Sequence, residues 1–362
     1  MAGNALRPDF DTRNLASLLA ALVRFRSDRP EDRRPIADWT ADMLRGLGGR
    51  TRVLGPPDGP VVLSTFGRGG VLFSGHIDTV PATGEWKTKP GQCRGSRLYG
   101  RGSADMKGGV AAILAAASQL AGRVPFSVIL TTDEETGMKG AVAVLKAPAL
   151  RAASAVVVAE PTGLRVGFAE KAVHQFLLTT SGRSAHASMP WTGVSATERM
   201  LALLAALRAA FPSSDRGGVT FNVGRIEGGT RPNLVADRCV ALLDFRVPGA
   251  LKPAPHEARV RARLKRARVP HRLERLHFVT ALAQDPRHPA LRLFETVAAR
   301  PRGIIYFATE AAVFAALHKP VVIFGPGAQE SCHTNDEWVS MREVAAAARV
   351  YRDYGLVMGD PR

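Results

Sequence analysis

Val71-Leu72-Phe73-Ser74-Gly75-His76-Ile77-Asp78 is the stretch on which the fold turns. An apolar run of strand character ends there on a histidine, and a carboxylate follows two residues on. The same grammar recurs along the chain. Phe126-Ser127-Val128-Ile129-Leu130-Thr131-Thr132 runs into Asp133-Glu134-Glu135, and Ala155-Val156-Val157-Val158-Ala159 runs into Glu160. Val321-Val322-Ile323-Phe324 leads through Gly325-Pro326-Gly327 to His333, and Asp105 lies in a glycine-rich turn before a helical stretch. In open α/β sheets, sites form at the carboxyl ends of the strands. Imidazoles and carboxylates gathered at one such edge have the chemistry of a hard-to-borderline metal site.

Outward from these strands, helical periodicity appears at 14–24 and 36–47, then at 108–120 and 138–146. Strands alternating with helices predict an α/β layer with a largely parallel, mixed sheet flanked by helices. The pattern changes after about residue 171. A strand at 174–180, a helix at 193–211, strands at 219–226 and 238–247, a helix at 254–267 and a strand at 271–277 follow. This βαββαβ order is the ferredoxin-like α+β arrangement. From about residue 290 the α/β pattern returns, with a helix, a strand at 303–307, a helix at 309–317, a strand at 320–324 and a helix at 341–355. The expected organisation is a catalytic domain of residues 1–171 and 280–362, interrupted by an inserted domain of residues 172–279.

A chain of 362 residues, 46% hydrophobic, can bury a sizeable core and hold two domains. No run reaches the ~18 consecutive apolar residues that a membrane helix needs. Residues 1–27 mix acids and arginines and lack the apolar core of a secretory leader, which predicts a cytoplasmic protein. Three unpatterned cysteines, Cys93, Cys239 and Cys332, suit a reducing compartment. The net charge of +17 raises nucleic acid or an anionic substrate as partners. Its densest stretch, from Lys252 to Arg275, has no interleaved aromatics to stack bases. It reads as a solvated face, with no nucleic-acid or membrane partner expected.

The individual signals differ in weight. His76 and Asp78 point to the same side of an extended chain, so Asp78 either orients the imidazole or binds metal itself. Gly100-Arg101-Gly102-Ser103-Ala104-Asp105-Met106-Lys107-Gly108-Gly109 does not match a phosphate loop, because glycine follows Lys107. Its glycines suit a sharp turn that presents Asp105, whose two oxygens can bridge two ions. Glu134 and Glu135, at a strand end, project in different directions. One can bind metal while the other faces the attacking water, which divides ligand from general base.

Seven motifs in order, SGHIDTVP (74–81), YGRGSADMKGG (99–109), TTDEETG (131–137), AEPTG (159–163), SGRSAHASMP (181–190), GGTRPNLVAD (228–237) and GPGAQESCHTNDE (325–337), resemble those of the M20 family of metal-dependent amidohydrolases and peptidases. The resemblance implies two divalent metal ions, most often zinc, with cobalt or manganese as alternatives. It implies Asp105 as the bridging carboxylate, His76 and Glu160 on one ion, and Glu135 and His333 on the other. Asp78 orients His76 and Glu134 is the general base. His186 of the inserted domain reaches the active site of a partner subunit and stabilises the oxyanion, which implies a homodimer through that domain. Asn233 and Arg246 contact the substrate carboxylate.

Within the family, Tyr306-Phe307-Ala308-Thr309-Glu310-Ala311 resembles the Y-C-T-E-A segment of acetylornithine deacetylases, with Ala308 as an extra residue. Asp244-Phe245-Arg246-Val247-Pro248-Gly249 resembles their D-I-R-P-L-P-G. Ala159 stands where the family usually has glycine. The expected reaction is therefore removal of an acyl group from an amino acid, N-acetylornithine first, with Glu310 among the substrate contacts. Desuccinylation of N-succinyl-diaminopimelate, aminoacylase action and dipeptide or carboxy-terminal cleavage are the alternatives, and the positive charge favours the anionic succinylated substrate.

Overall fold

The computed structural model describes residues 12–212, 217–249 and 252–359. The leader reading concerns residues 1–27, of which 1–11 lie outside the described residues. In chain order come α1 (Thr12–Arg24), α2 (Arg33–Gly46), β1 (Arg50–Leu54), β2 (Val61–Phe66), β3 (Val71–His76), β4 (Gln92–Arg94) and β5 (Arg97–Tyr99). Next are α3 (Gly108–Leu120), β6 (Phe126–Thr131), α4 (Lys139–Val144), α5 (Pro148–Ala152) and β7 (Ala155–Val158). Then follow β8 (Lys171–Ser181), α6 (Ala196–Ala210), β9 (Thr220–Gly228), β10 (Arg238–Pro248), α7 (Pro253–Arg266) and β11 (Arg272–Val279). The chain closes with α8 (Pro289–Ala298), α9 (Ala311–Phe314), β12 (Val321–Ile323), β13 (Trp338–Ser340) and α10 (Met341–Gly359).

Two compact units result: Met1–Phe168 with Gln284–Gly303 and Thr309–Arg362, and Ala169–Ala283 with Ile304–Ala308. In the first, the described residues form a six-stranded sheet of order β1-β2-β6-β3-β7-β12. The β6–β3, β3–β7 and β7–β12 pairs are parallel, and the β1–β2 and β2–β6 pairs are antiparallel. The sheet is thus mixed, and its parallel part carries the apolar runs that set the reading of the sequence. Every residue of β3, β6 and β7 is buried, as continuous apolar strands covered on both faces should be. Helix α3 is almost wholly buried and rich in alanine, which lets it pack closely. A Cβ at Gly109 would lie 2.1 Å from the Ala159 carbonyl oxygen, so this helix approaches the end of β7 as only glycine permits.

The second unit is an antiparallel four-stranded sheet of order β11-β8-β10-β9 with α6 and α7 against it. Its βαββαβ connectivity is the ferredoxin-like one. Leu203, Leu207, Phe176, Phe245, Val260 and Leu264 form its core.

Several elements differ from the sequence reading. Residues 303–307 form no strand: Ile305 makes an isolated bridge to Glu170, and its carbonyl accepts the Lys171 N–H at 3.1 Å. Only Ile305 of that segment is deeply buried, while Ile304 and Tyr306 are exposed, so no ladder has a partner to extend along. The same contact places Ile304–Ala308 in the second unit. The helix expected at 309–317 is one turn, Ala311–Phe314, continued by a tighter turn. Strands β1 and β2 carry no expectation from sequence: Arg50-Thr51-Arg52 at the sheet edge has no apolar run, whereas β2, Val61–Phe66, is an apolar and almost wholly buried strand that the sequence reading does not include. Among the described residues, no helix is long and apolar enough to cross a membrane.

Candidate metal centre

Parallel strands end on the same side of a sheet, and this alone brings distant residues together. His76 is the last residue of β3 and pairs in register with Thr131, the last of β6. Glu134 and Glu135 follow β6 by three and four residues, and Glu160 follows β7 by two. His333 lies beyond β12 in a left-handed conformation (φ 62°). Asp105 sits on the turn that opens α3, and the Asp105–Met106 peptide bond is cis.

The donor atoms converge on two groups that share Asp105. His76, Asp105 and Glu160 form one, and Asp105, Glu135 and His333 the other, with ligand atoms in each within 4.8 Å of one another. Asp105 Oδ1 lies 3.2 Å from His76 Nε2, and its Oδ2 lies 3.2 Å from His333 Nε2. Glu135 Oε2 is 3.2 Å from His333 Nε2, and Glu160 Oε1 is 3.9 Å from His76 Nε2. The His76 tautomer follows from its other nitrogen. Nδ1 lies 3.0 Å from the Asp78 backbone carbonyl, which can only accept, so Nδ1 carries the proton. In the neutral ring, Nε2 then turns its lone pair toward Asp105 and Glu160.

The carboxylate of Asp78 is fully buried and does more than face the imidazole, from which its Oδ1 stands 3.5 Å. It accepts the backbone N–H groups of Glu134 and Glu135, both at 3.4 Å. It thereby fixes the direction in which the two glutamates leave β6. Two further groups have roles that the motif reading does not mention. Arg33, from α2, lies buried with its guanidinium 3.8 Å from Asp78 and 3.7 Å from Asp133. Nothing local marks it out from other arginines of this chain. Glu337 accepts the N–H groups of Ala104 (2.9 Å) and Asp105 (3.1 Å) and pairs with Arg101 at 2.7 Å. It holds the turn that presents Asp105. Its only sequence signal is its place at the end of the last motif.

Electrostatically the cluster wants cations. Burial, together with neighbouring carboxylates, pushes the proton affinity of Glu160 well above the ordinary glutamate range, against the pull of His76. Glu134 is raised for the same reasons. Burial would raise Asp105 too, but hydrogen bonds from His333 and His76 hold it below the ordinary range. Hydrogen bonds to Asp105 and Glu135 raise His333 to about 10. Burial alone would lower His76, yet Asp105 and Asp78 raise it. Two imidazoles and three carboxylates in this arrangement fit two divalent ions.

The other expected site residues lie as follows. Glu310 is in the first unit and buried; its Oε2 accepts the Thr131 hydroxyl at 2.8 Å, and burial raises it to about 7. His186, Asn233 and Arg246 belong to the second unit. His186 is exposed, with Nδ1 2.7 Å from the Ser188 hydroxyl. Asn233 is exposed, and its backbone carbonyl accepts the Ala187 N–H. Arg246 is half-buried and donates to Asp244 at 2.8 Å.

The model of the family described as Peptidase family M20/M25/M40 matches residues 72–356. The chain belongs to peptidase family M20. It is 32% identical over 296 residues to an acetylornithine deacetylase of Erwinia tasmaniensis, covering 76% of this chain and 77% of that one. An acetylornithine deacetylase of Proteus mirabilis is 33% identical over 300 residues, with 76% of each chain covered. Among solved structures, a tripeptidase from Staphylococcus aureus superposes with a TM-score of 0.81 at 18% identity, covering 96% of this chain and 99% of that one. As an M20 protein the chain is a hydrolytic enzyme of the metallopeptidase and amidohydrolase kind.

Proposed function

We propose that the chain hydrolyses the amide bond of N-acyl amino acids and that N-acetylornithine is its preferred substrate, giving acetate and ornithine. The observation that carries the hydrolytic part is that Glu134 lies buried within the field of His76, Glu160, Glu135 and Asp105, its backbone held by Asp78. Support for the substrate comes from relatives named acetylornithine deacetylase at 32% and 33% identity, and from the Thr309-Glu310-Ala311 segment.

In this reading His76, Asp105 and Glu160 hold one divalent cation, and Asp105, Glu135 and His333 a second, zinc by preference with cobalt or manganese as alternatives. Bound there, the two ions supply Lewis acidity toward the acyl carbonyl and the attacking water. Glu134 takes a proton from that water on its carboxylate and hands it to the departing amine nitrogen. Burial raises its proton affinity, which suits a group that carries a proton from the water to the amine. Asp78 keeps the His76 ring and the Glu134 backbone in place. His186, contributed by a second copy through the inserted domain, donates to the developing oxyanion. Asn233 and Arg246 receive the substrate carboxylate, Arg246 by exchanging Asp244 for it. Glu310 takes part in substrate selection, and the enzyme works in the cytoplasm as a homodimer.

The net charge of +17 favours a second reading, in which the anionic N-succinyl-diaminopimelate is preferred. Initial rates of the metal-loaded protein on N-acetylornithine, other N-acetyl amino acids, N-succinyl-diaminopimelate and dipeptides decide between them. The first reading expects kcat/KM highest on N-acetylornithine. A higher value on the succinylated substrate overturns it in favour of the second, and a higher value on dipeptides overturns both.

A further inference from the structure

A pocket of about 600 Å³ opens in the first unit beside Arg33 and Asp133. The β1–β2 turn around Asp58 forms one wall, and α4 with the residues after it forms another. Arg33 lines it, and the same guanidinium touches Asp78, Asp133 and the Asp58 carbonyl (3.3 Å). The catalytic reading does not use this space.

Its lining has a definite chemistry. Leu54, Val61 and Val144 offer apolar walls. Arg33, Lys139 and Lys146 are cationic, and Asp58 and Asp133 are anionic, which leaves one net positive charge. The two lysines have no carboxylate partner among the described residues, whereas Asp133 already faces Arg33. Arg33 is 4% exposed and its Nε has no hydrogen-bond partner among the described residues. A buried guanidinium held by two carboxylates at 3.7 and 3.8 Å is incompletely satisfied. A dianion would exceed the charge this lining can neutralise, and a neutral ligand would leave both ammonium groups unused.

We infer that this pocket binds a small aliphatic monocarboxylate, its carboxylate between Lys139 and Lys146 and its hydrocarbon part against Leu54, Val61 and Val144. Arg33 lines the same pocket and touches Asp78, so an occupant of this space is linked through one side chain to the carboxylate that positions Glu134. Short metabolic acids and fatty acids share this chemistry, and chain length tells them apart.

The test is ligand-observed NMR on the metal-loaded full chain, with a series from butanoate to dodecanoate and with 1-octanol as the uncharged control. Octanoate binds and 1-octanol binds at least about tenfold more weakly. The double variant Lys139→Gln, Lys146→Gln loses about tenfold in octanoate affinity, as removal of two solvent-exposed charge contacts should cause. Ala143→Phe, which fills the pocket from an exposed position on α4, abolishes binding while the circular dichroism stays unchanged. A maximum at butanoate assigns the short acids, and one at octanoate or beyond assigns fatty acids. No binding, equal binding of octanol, or octanoate affinity unaffected by both variants overturns the proposal. The last outcome would place the carboxylate elsewhere on the chain. None of these readouts depends on which amide the enzyme cleaves.

Discussion

At the scale of single residues, two adjacent glutamates beyond a strand end have different surroundings, and the proposed function gives them different tasks. Glu135 reaches His333, and Glu134 stays among the buried charges with its proton affinity raised by burial. Glu134→Ala should therefore lower kcat by about 10²- to 10⁴-fold, the range for loss of a general base, while metal content by atomic absorption stays at two equivalents. A variant that also loses metal would make Glu134 a ligand instead. His333 offers a second check. In the metal-free protein its hydrogen bonds to Asp105 and Glu135 hold a proton up to about pH 10, and a ligand must give that proton up. Metal uptake at pH 7 should release protons, and apparent affinity should rise with pH toward about 10. Calorimetry in buffers of different ionisation enthalpy measures the release. His333→Ala should abolish that part of it.

At the scale of elements, α3 meets the end of β7 at Gly109 and Ala159, one residue before Glu160. Gly109→Ala would gain roughly 1 kcal/mol of helix propensity. Against this, the new methyl would sit 2.1 Å from the Ala159 carbonyl oxygen, well inside van der Waals contact, so backbone must move. Overpacking of this kind costs roughly 1–3 kcal/mol, so the steric term should win. We expect Tm to fall by several degrees, and affinity for one of the two metal ions to fall with it, because Ala159 immediately precedes Glu160. Unchanged Tm and metal affinity in thermal melts and metal titrations would show that α3 can shift freely. The Glu337 contact to the Ala104 and Asp105 amides likewise acts on the backbone, since it holds the turn that presents Asp105.

At the scale of the whole molecule, the two units should respond differently to acid. In the second unit, His174 and His256 lie buried with their Nδ1 atoms 2.8 Å apart, and neither Nε2 has a hydrogen-bond partner among the described residues. Burial, then the neighbouring His174 and Arg259, lowers His256 to about 4, against the weaker pull of Glu257. Burial and Arg275 lower His174. The unfolded chain binds protons that the folded pair resists. The pair's contribution to stability is therefore complete above the ordinary value of 6.5 and is lost as pH falls toward about 4. Melting of the wild type between pH 7 and 4.5 should show this loss, and His174→Phe, His256→Leu should flatten it. An equally steep acid limb in the double variant would assign the loss to other groups.

The sequence by itself determined the α/β layer, the βαββαβ unit and the acidic and histidine residues that converge on the candidate metal centre. It did so because short apolar runs alternating with helical stretches suit buried, largely parallel strands, and parallel strands deliver whatever follows them to one edge. His76, Glu134, Glu135 and Glu160 were legible because each lies within four residues of a strand end. Only the tertiary structure decided the rest. Arg33 and Glu337 act through contacts 45 and 232 residues away in the chain, to Asp78 and Asp105, and no local pattern encodes such a distance. Residues 303–307 have the composition of a strand, yet a strand exists only where a neighbour offers a ladder, and here one bridge is all that packing allows.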